Sequence, residues 1–134
     1  MTLLLDASVW IAAVDSQDRY HIPARALVLD PARPLAALDL TLYEVANVVG
    51  VVKGRPEVAA RISQTLLKRS EGALARVNQI LAEDAIAIAI RHNLTAYDAA
   101  YVATAREHDW MLVSADLKDL VKPGLAAAPD DPTI

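Results

Sequence analysis

Apolar residues along the chain fall into short unbroken runs that alternate with stretches repeating every three or four positions. Leu3-Leu4-Leu5 is such a run and predicts a strand, and the stretch from Val9 to Val14 suits a helix. Between Arg19 and Leu29 the positions Ile22, Ala26, Leu27 and Leu29 predict a second helix, stopped by Pro31 and Pro34. Leu35 to Leu38 reads as the second strand. Val45, Val48, Val49 and Val52 form an amphipathic stripe over Thr41 to Val52, ended by Gly54 and Pro56. The helical pattern resumes from Glu57 to Arg69 through Val58, Ile62, Leu66 and Leu67. A third short strand is expected within Leu74 to Val77. Ile80 to His92 alternates Ala and Ile densely, and its length favours helix over strand; Thr95 to Glu107 is a further helix. Met111-Leu112-Val113 is a strand, followed by a helical turn from Asp116 to Leu120, an edge strand at Gly124 to Ala128, and a flexible tail over 129–134.

Strands separated by helices imply right-handed crossover units, hence an α/β fold: an open, mostly parallel sheet of four to five short strands flanked by helices. Such sheets place their sites outside the carboxyl ends of the strands. The 134 residues suffice for one domain, 1–134, and 54% hydrophobic content supports a filled core, built of Ala, Leu, Val and Ile because Phe is absent. No apolar stretch reaches the roughly 18 residues of a membrane span. The N-terminal stretch has no basic flank and carries Asp6 inside its apolar part, so it does not read as a signal peptide, and a cytoplasmic protein is expected. Without cysteine, any metal must be held by oxygen or imidazole.

The candidate chemistry lies in four carboxylates, Asp6, Glu44, Asp98 and Asp116, each placed after an apolar run where a helix is predicted to begin. Each has an ordinary structural explanation. Thr41 with Glu44, and Thr95 with Asp98, match the capping-box pattern; Asp6 can cap the first helix and Asp116 can start the last helical turn. Capping does not explain why four such starts should share one sheet edge. Carboxylates about 6 Å apart repel by about 3 kcal/mol per pair at an effective dielectric near 20, more than helix dipoles of about 0.3–1 kcal/mol offset. A hard cation such as Mg²⁺ or Mn²⁺ offsets it. The net charge of −4 is not that of a strong nucleic-acid binder, yet Lys53, Arg55, Arg61, Lys68 and Arg69 form a basic flank suited either to a phosphate backbone or to a solvated helix face.

The stretches LLDASVWIAAV, LTLYEVANVV, LTAYDAAYVATA and LVSADLKDL resemble, in order and spacing, the four acidic motifs of PIN-domain ribonucleases, and among these the VapC toxins of toxin–antitoxin pairs. The resemblance runs from Leu3 to about Leu120. It implies a PIN-like three-layer α/β/α fold and a metal-dependent RNA hydrolase, with Asp6, Glu44, Asp98 and Asp116 holding one or two Mg²⁺ or Mn²⁺ ions. It also implies supporting roles for Ser8, Ser114 and Asn47, a VapB-like antitoxin partner, and a homodimer. Lys53, Arg55, Lys68 and Arg69 are the candidate contacts to the RNA backbone. Many relatives carry a further acid two residues after the last motif's Asp; here that position is Lys118, with Asp119 one later, which leaves a fifth ligand unassigned.

Two other readings compete. A catalytically silent PIN-like module would keep the fold and bind a protein partner, with Ile62, Leu66 and Ile80 as possible contacts. An aspartyl-phosphate phosphatase would want an acid two residues after Asp6, where Ser8 stands, and a receiver domain would want a phosphoacceptor Asp ending a mid-chain strand. His21, His92 and His108 show no metal-ligand spacing, and Trp10 and Trp110 read as packing residues.

Overall fold

The computed structural model describes residues 1–134. Its elements are β1 (Leu3–Leu5), α1 (Ala7–Ala12), α2 (His21–Leu29), β2 (Leu35–Leu38), α3 (Leu40–Val45), α4 (Pro56–Arg69), β3 (Leu74–Ala75), α5 (Gln79–His92), α6 (Ala96–His108) and β4 (Met111–Val113). The four strands form one parallel sheet in the order β3-β2-β1-β4.

Central parallel strands are covered on both faces, which is why their sequences are runs of apolar residues without alternation. Pleating nevertheless sorts them. Leu3, Leu5, Leu35, Ala37 and Val113 enter one apolar cluster with residues of α1, α2 and α4, such as Trp10, Leu27 and Ile62. Leu4, Ala36, Leu38 and Leu112 enter a second cluster with Leu81 of α5 and Tyr101, Val102 and Ala105 of α6. The result is helix, sheet, helix, the expected three-layer arrangement.

Several expectations are corrected. The helix expected over Thr41 to Val52 is α only through Val45; Ala46–Val52 continues as π-helix. The turn after Asp116 is likewise π-helical, Leu117–Val121. The third strand does lie within the expected stretch, at Leu74–Ala75. Gly124 to Ala128 is not a strand: only Ala127 bridges to Val113, and the segment otherwise turns back along β4. Thr41 is not a helix cap either, because α3 begins at Leu40 with Asp39 in the capping position. At the chain's end Ala128 is buried and Ile134 packs against the first cluster.

Candidate metal-binding site at the carboxyl edge of the sheet

Asp6 immediately follows β1 and caps α1, its Oδ1 accepting from the Val9 amide at 3.3 Å and from the Ser8 hydroxyl. The same Ser8 Oγ accepts from the Ala115 amide at 2.9 Å, and Ser114 Oγ accepts from the Asp116 amide at 3.0 Å. Two adjacent parallel strands are thereby stitched at their carboxyl ends by the two serines the resemblance pointed to. Asp116 caps the π-helical turn, accepting from the Asp119 amide at 3.0 Å. Asp98 stands in the first turn of α6, whose start is capped by Thr95 (Asp98 N to Thr95 Oγ1, 3.1 Å). Thr95 is thus the helix cap that the pattern predicts, while the Asp98 carboxylate makes no bond back to the Thr95 amide.

Glu44 reaches the same edge by another route. It lies one turn inside α3, half-buried, and its Oε1 accepts from the Tyr101 hydroxyl at 2.5 Å, while Tyr101 lies 2.7 Å from Thr41 Oγ1. The Thr41 hydroxyl is therefore spent on Tyr101 and not on a helix end. Asn47, expected to brace Glu44, lines the shallow pocket beside it with Tyr43 and Tyr97 but makes no hydrogen bond to it.

Carboxylate oxygens of Asp98, Asp116 and Asp119 lie within 4.8 Å of one another. Electrostatics ties the other two acids to this trio through Asp98. Burial pushes the Asp6 carboxyl up to about 6, partly opposed by the hydroxyls of Ser114 and Ser8 and the Val9 amide, with a further push from Asp98. Burial also raises Glu44, opposed by the Tyr101 hydroxyl and reinforced by Asp98. Asp98 itself is raised by burial and then by repulsion from Asp116 and Asp119. Tyr101 is held well above the usual phenol range by burial and by Glu44. Asp6, Glu44 and Asp98 are thus each disfavoured as anions by their surroundings. No lysine, arginine or histidine forms an ion pair with any of them. An all-carboxylate donor set with no protein counter-charge is the chemistry that hard divalent cations take, so the residues present fit Mg²⁺ or Mn²⁺. Asp119 is the member that sequence spacing left unassigned. The tight turn after Asp116 brings it round, a geometry that no residue count along the chain displays.

The basic residues divide. Helix α4 runs away from the acidic edge, so 14 residues at 1.5 Å each put Lys68 and Arg69 about 20 Å from its start. Arg69 is engaged there through Nε and Nη2, donating to the carbonyls of Val28 (2.9 Å), Asp30 (2.7 Å) and Arg33 (3.2 Å). Arg69 is thus held by main-chain carbonyls at the far end of α4, where Lys68 beside it is exposed. Arg55 immediately precedes α4, and Lys53, at the end of the π-helical segment, is paired to Asp15 at 3.5 Å. Arg55 also joins Arg25 and Arg61 around a groove of about 420 Å³ floored by Trp10, Val28 and Ile62. Ile62 and Leu66 are buried, whereas Ile80 is exposed. His21 hydrogen-bonds the Ala12 carbonyl and His108 stacks on Trp110, both in structural roles.

Comparison with known proteins assigns this fold to a family. The chain belongs to the PIN domain family, which it matches over residues 3–122. It is 32% identical over 122 residues to Ribonuclease VapC3 of Pyrobaculum aerophilum, covering 87% of this chain and 90% of that protein. Among solved structures it is similar to a toxin–antitoxin complex from Klebsiella pneumoniae, with TM-score 0.70 and 25% identity over 95% of this chain and 97% of that one. It also shares its fold with the sarcin-ricin loop cleaving toxin VapC20 of Mycobacterium tuberculosis, with TM-score 0.75 and 19% identity over 91% and 95% of the two chains.

Proposed function

We propose that this protein is a divalent-metal-dependent endoribonuclease that acts as the toxin of a toxin–antitoxin pair. The observation that carries this reading is Asp98. It lies within 4.8 Å of Asp116 and Asp119 by carboxylate oxygen and bears electrostatically on both Asp6 and Glu44, so acids from four separate segments act as one group. Kinship with Ribonuclease VapC3 supplies the substrate class.

Asp6, Glu44, Asp98 and Asp116 would hold Mg²⁺ or Mn²⁺, with Asp119 as a fifth oxygen donor. The bound ion supplies an acidified water and neutralises charge on a phosphodiester, so no protein nucleophile is required. The protein's own part is placement. Asp6 is locked by Ser8 and Val9, and Asp116 by the Asp119 amide, so these carboxylates are oriented before substrate arrives. Arg55 and Lys53, just before α4, offer cations for the RNA backbone, and Lys118 sits between Asp116 and Asp119 in sequence.

The regulatory partner we infer is a VapB-like antitoxin. The groove between α1, α2 and α4 supports this, since its apolar floor with Arg25, Arg55 and Arg61 complements an amphipathic segment bearing acids. A homodimer is supported by exposed Tyr43, Val51 and Val52 along α3 and its π-helical continuation, and by Ile80 and Ile90 on α5. No helix is long and apolar enough to cross a membrane, and we place the protein in the cytoplasm.

The test is incubation of purified, partner-free protein with total RNA, with and without Mg²⁺ or Mn²⁺, beside Asp98→Asn. Cutting that needs both the metal and Asp98 is expected. Equal cutting by the variant or in chelator removes the metal-nuclease reading, and no cutting under any condition leaves the silent-module reading in its place.

A further inference from the structure

Of the acids at the edge, Asp6 and Asp116 are fixed by amides of the turns they cap. Glu44 has no such restraint. It sits inside a helix on a longer side chain, and the only hydrogen bond its carboxylate receives is from Tyr101, at 2.5 Å. Tyr101 is 1% exposed, three residues beyond Asp98 and therefore on a neighbouring face of α6. One hydroxyl proton is available at Tyr101. An ionised Glu44 only accepts, so that proton goes to Glu44 and the Thr41 hydroxyl, 2.7 Å away, donates to Tyr101 in turn. Donation then runs in a single direction, Thr41 to Tyr101 to Glu44. Such a chain polarises each bond toward the carboxylate. Thr104, the other fully buried threonine, shows the ordinary alternative: its hydroxyl returns to the Ala100 carbonyl of its own helix at 2.7 Å. Thr41 instead reaches across sixty residues of sequence to Tyr101.

We propose that Tyr101, fixed by Thr41, is a positioning residue that occupies one oxygen of Glu44 and thereby turns the other toward Asp98 and the cation. This rests on the metal-site reading. It adds a member from the apolar second cluster to a site otherwise built of helix and turn caps.

Mn²⁺ binding to the purified full chain, followed by calorimetry without RNA, tests it. Tyr101→Phe is expected to keep the native circular dichroism and to weaken Mn²⁺ by about tenfold or more, as loss of a group orienting a metal ligand does. In a Glu44→Gln background the same change is expected to weaken Mn²⁺ no further, and Thr41→Val is expected to produce a smaller loss that Tyr101→Phe absorbs in the double variant. Unchanged Mn²⁺ affinity in Tyr101→Phe, even with a lowered melting temperature, overturns the positioning role alone. An equal loss in the Glu44→Gln background also overturns it, because the effect would then not pass through Glu44. Absence of Mn²⁺ binding to the wild-type chain overturns the metal-site reading and the positioning role together, whereas Mn²⁺ binding without RNA cleavage sinks only the nuclease.

Discussion

The acidic cleft has an inner and an outer half, and they are held in different ways. The inner half, Asp6 and Glu44, is gripped by hydroxyls of Ser8 and Tyr101, the latter from an element far along the chain. The outer half, Asp98, Asp116 and Asp119, lies half-buried to exposed and is set by local helix-start geometry, its oxygens turned on one another. Burial is the largest disturbance to Asp6, Glu44 and Asp98 alike, and at Asp98 repulsion from Asp116 and Asp119 adds to it. The two halves therefore differ in the crowding added to burial: one neighbouring acid, Asp98, bears on Asp6 and on Glu44, whereas two, Asp116 and Asp119, bear on Asp98. A cation relieves both. Substitutions should separate the halves when no cation is bound and unite them when one is.

Catalysis should suffer most from Asp98→Asn, since this residue joins both halves. RNA cleavage should fall by about a thousandfold, comparable to removing a group that stabilises transition-state charge directly. Steady-state cleavage rates of the soluble variant check it.

Asp6→Asn should lose cleavage to a similar degree yet stabilise the metal-free protein at neutral pH. The sign comes from the raised carboxyl. A folded-state value of about 6 against 3.8 in the unfolded chain means the folded form holds the proton more tightly. The resulting stability is fully present below about pH 4 and is lost as pH rises through about 6. At pH 7 a buried, ionised Asp6 costs about 3 kcal/mol, an upper bound that Asn relieves in part. Thermal melts in chelator from pH 4 to 8 should show the wild-type chain losing stability across that window and the variant losing less, the remainder coming from Glu44 and Asp98, whose carboxyls are also raised. Parallel curves for the two proteins would erase the inner-outer distinction.

Asp119→Asn should reduce cleavage less, by about tenfold, because the exposed member of the trio is the most readily replaced by water. Comparison with Asp116→Asn, at matched Mg²⁺, ranks the members of the outer half. Arg69→Ala should leave cleavage unchanged while lowering stability by about 2 kcal/mol, from the loss of charged hydrogen bonds to three carbonyls. Urea denaturation beside a cleavage assay separates the two.

What could be read from the residues themselves divides along the same line. Strand cores such as Leu3–Leu5, Leu35–Leu38 and Met111–Val113 are legible because burial on both faces demands unbroken apolar runs. Asp6 and Asp116 are legible as turn acids shortly after strands. Tyr101 as the partner of Glu44 is not, because it looks like any apolar-face aromatic in an alanine-rich helix and its contact spans 57 positions. Arg69 misleads for the same reason: of five basic residues close in sequence, Arg55 and Arg61 line one groove while Arg69, at the far end of α4, is held by the carbonyls of Val28, Asp30 and Arg33. The π-helical turns at Ala46–Val52 and Leu117–Val121 are invisible to periodicity. The second of them begins at the Asp116 cap and brings the Asp119 amide onto the Asp116 carboxylate.

The most direct test of a single cation-holding cleft is Mn²⁺ titration of the metal-free chain by calorimetry, in buffers of differing ionisation heat, beside Asp98→Asn. The wild-type chain should bind Mn²⁺ and release protons near pH 6, where Asp6 is partly protonated, with the release fading by about pH 8; Asp98→Asn should bind far more weakly. Equal binding by the two proteins would contradict the account.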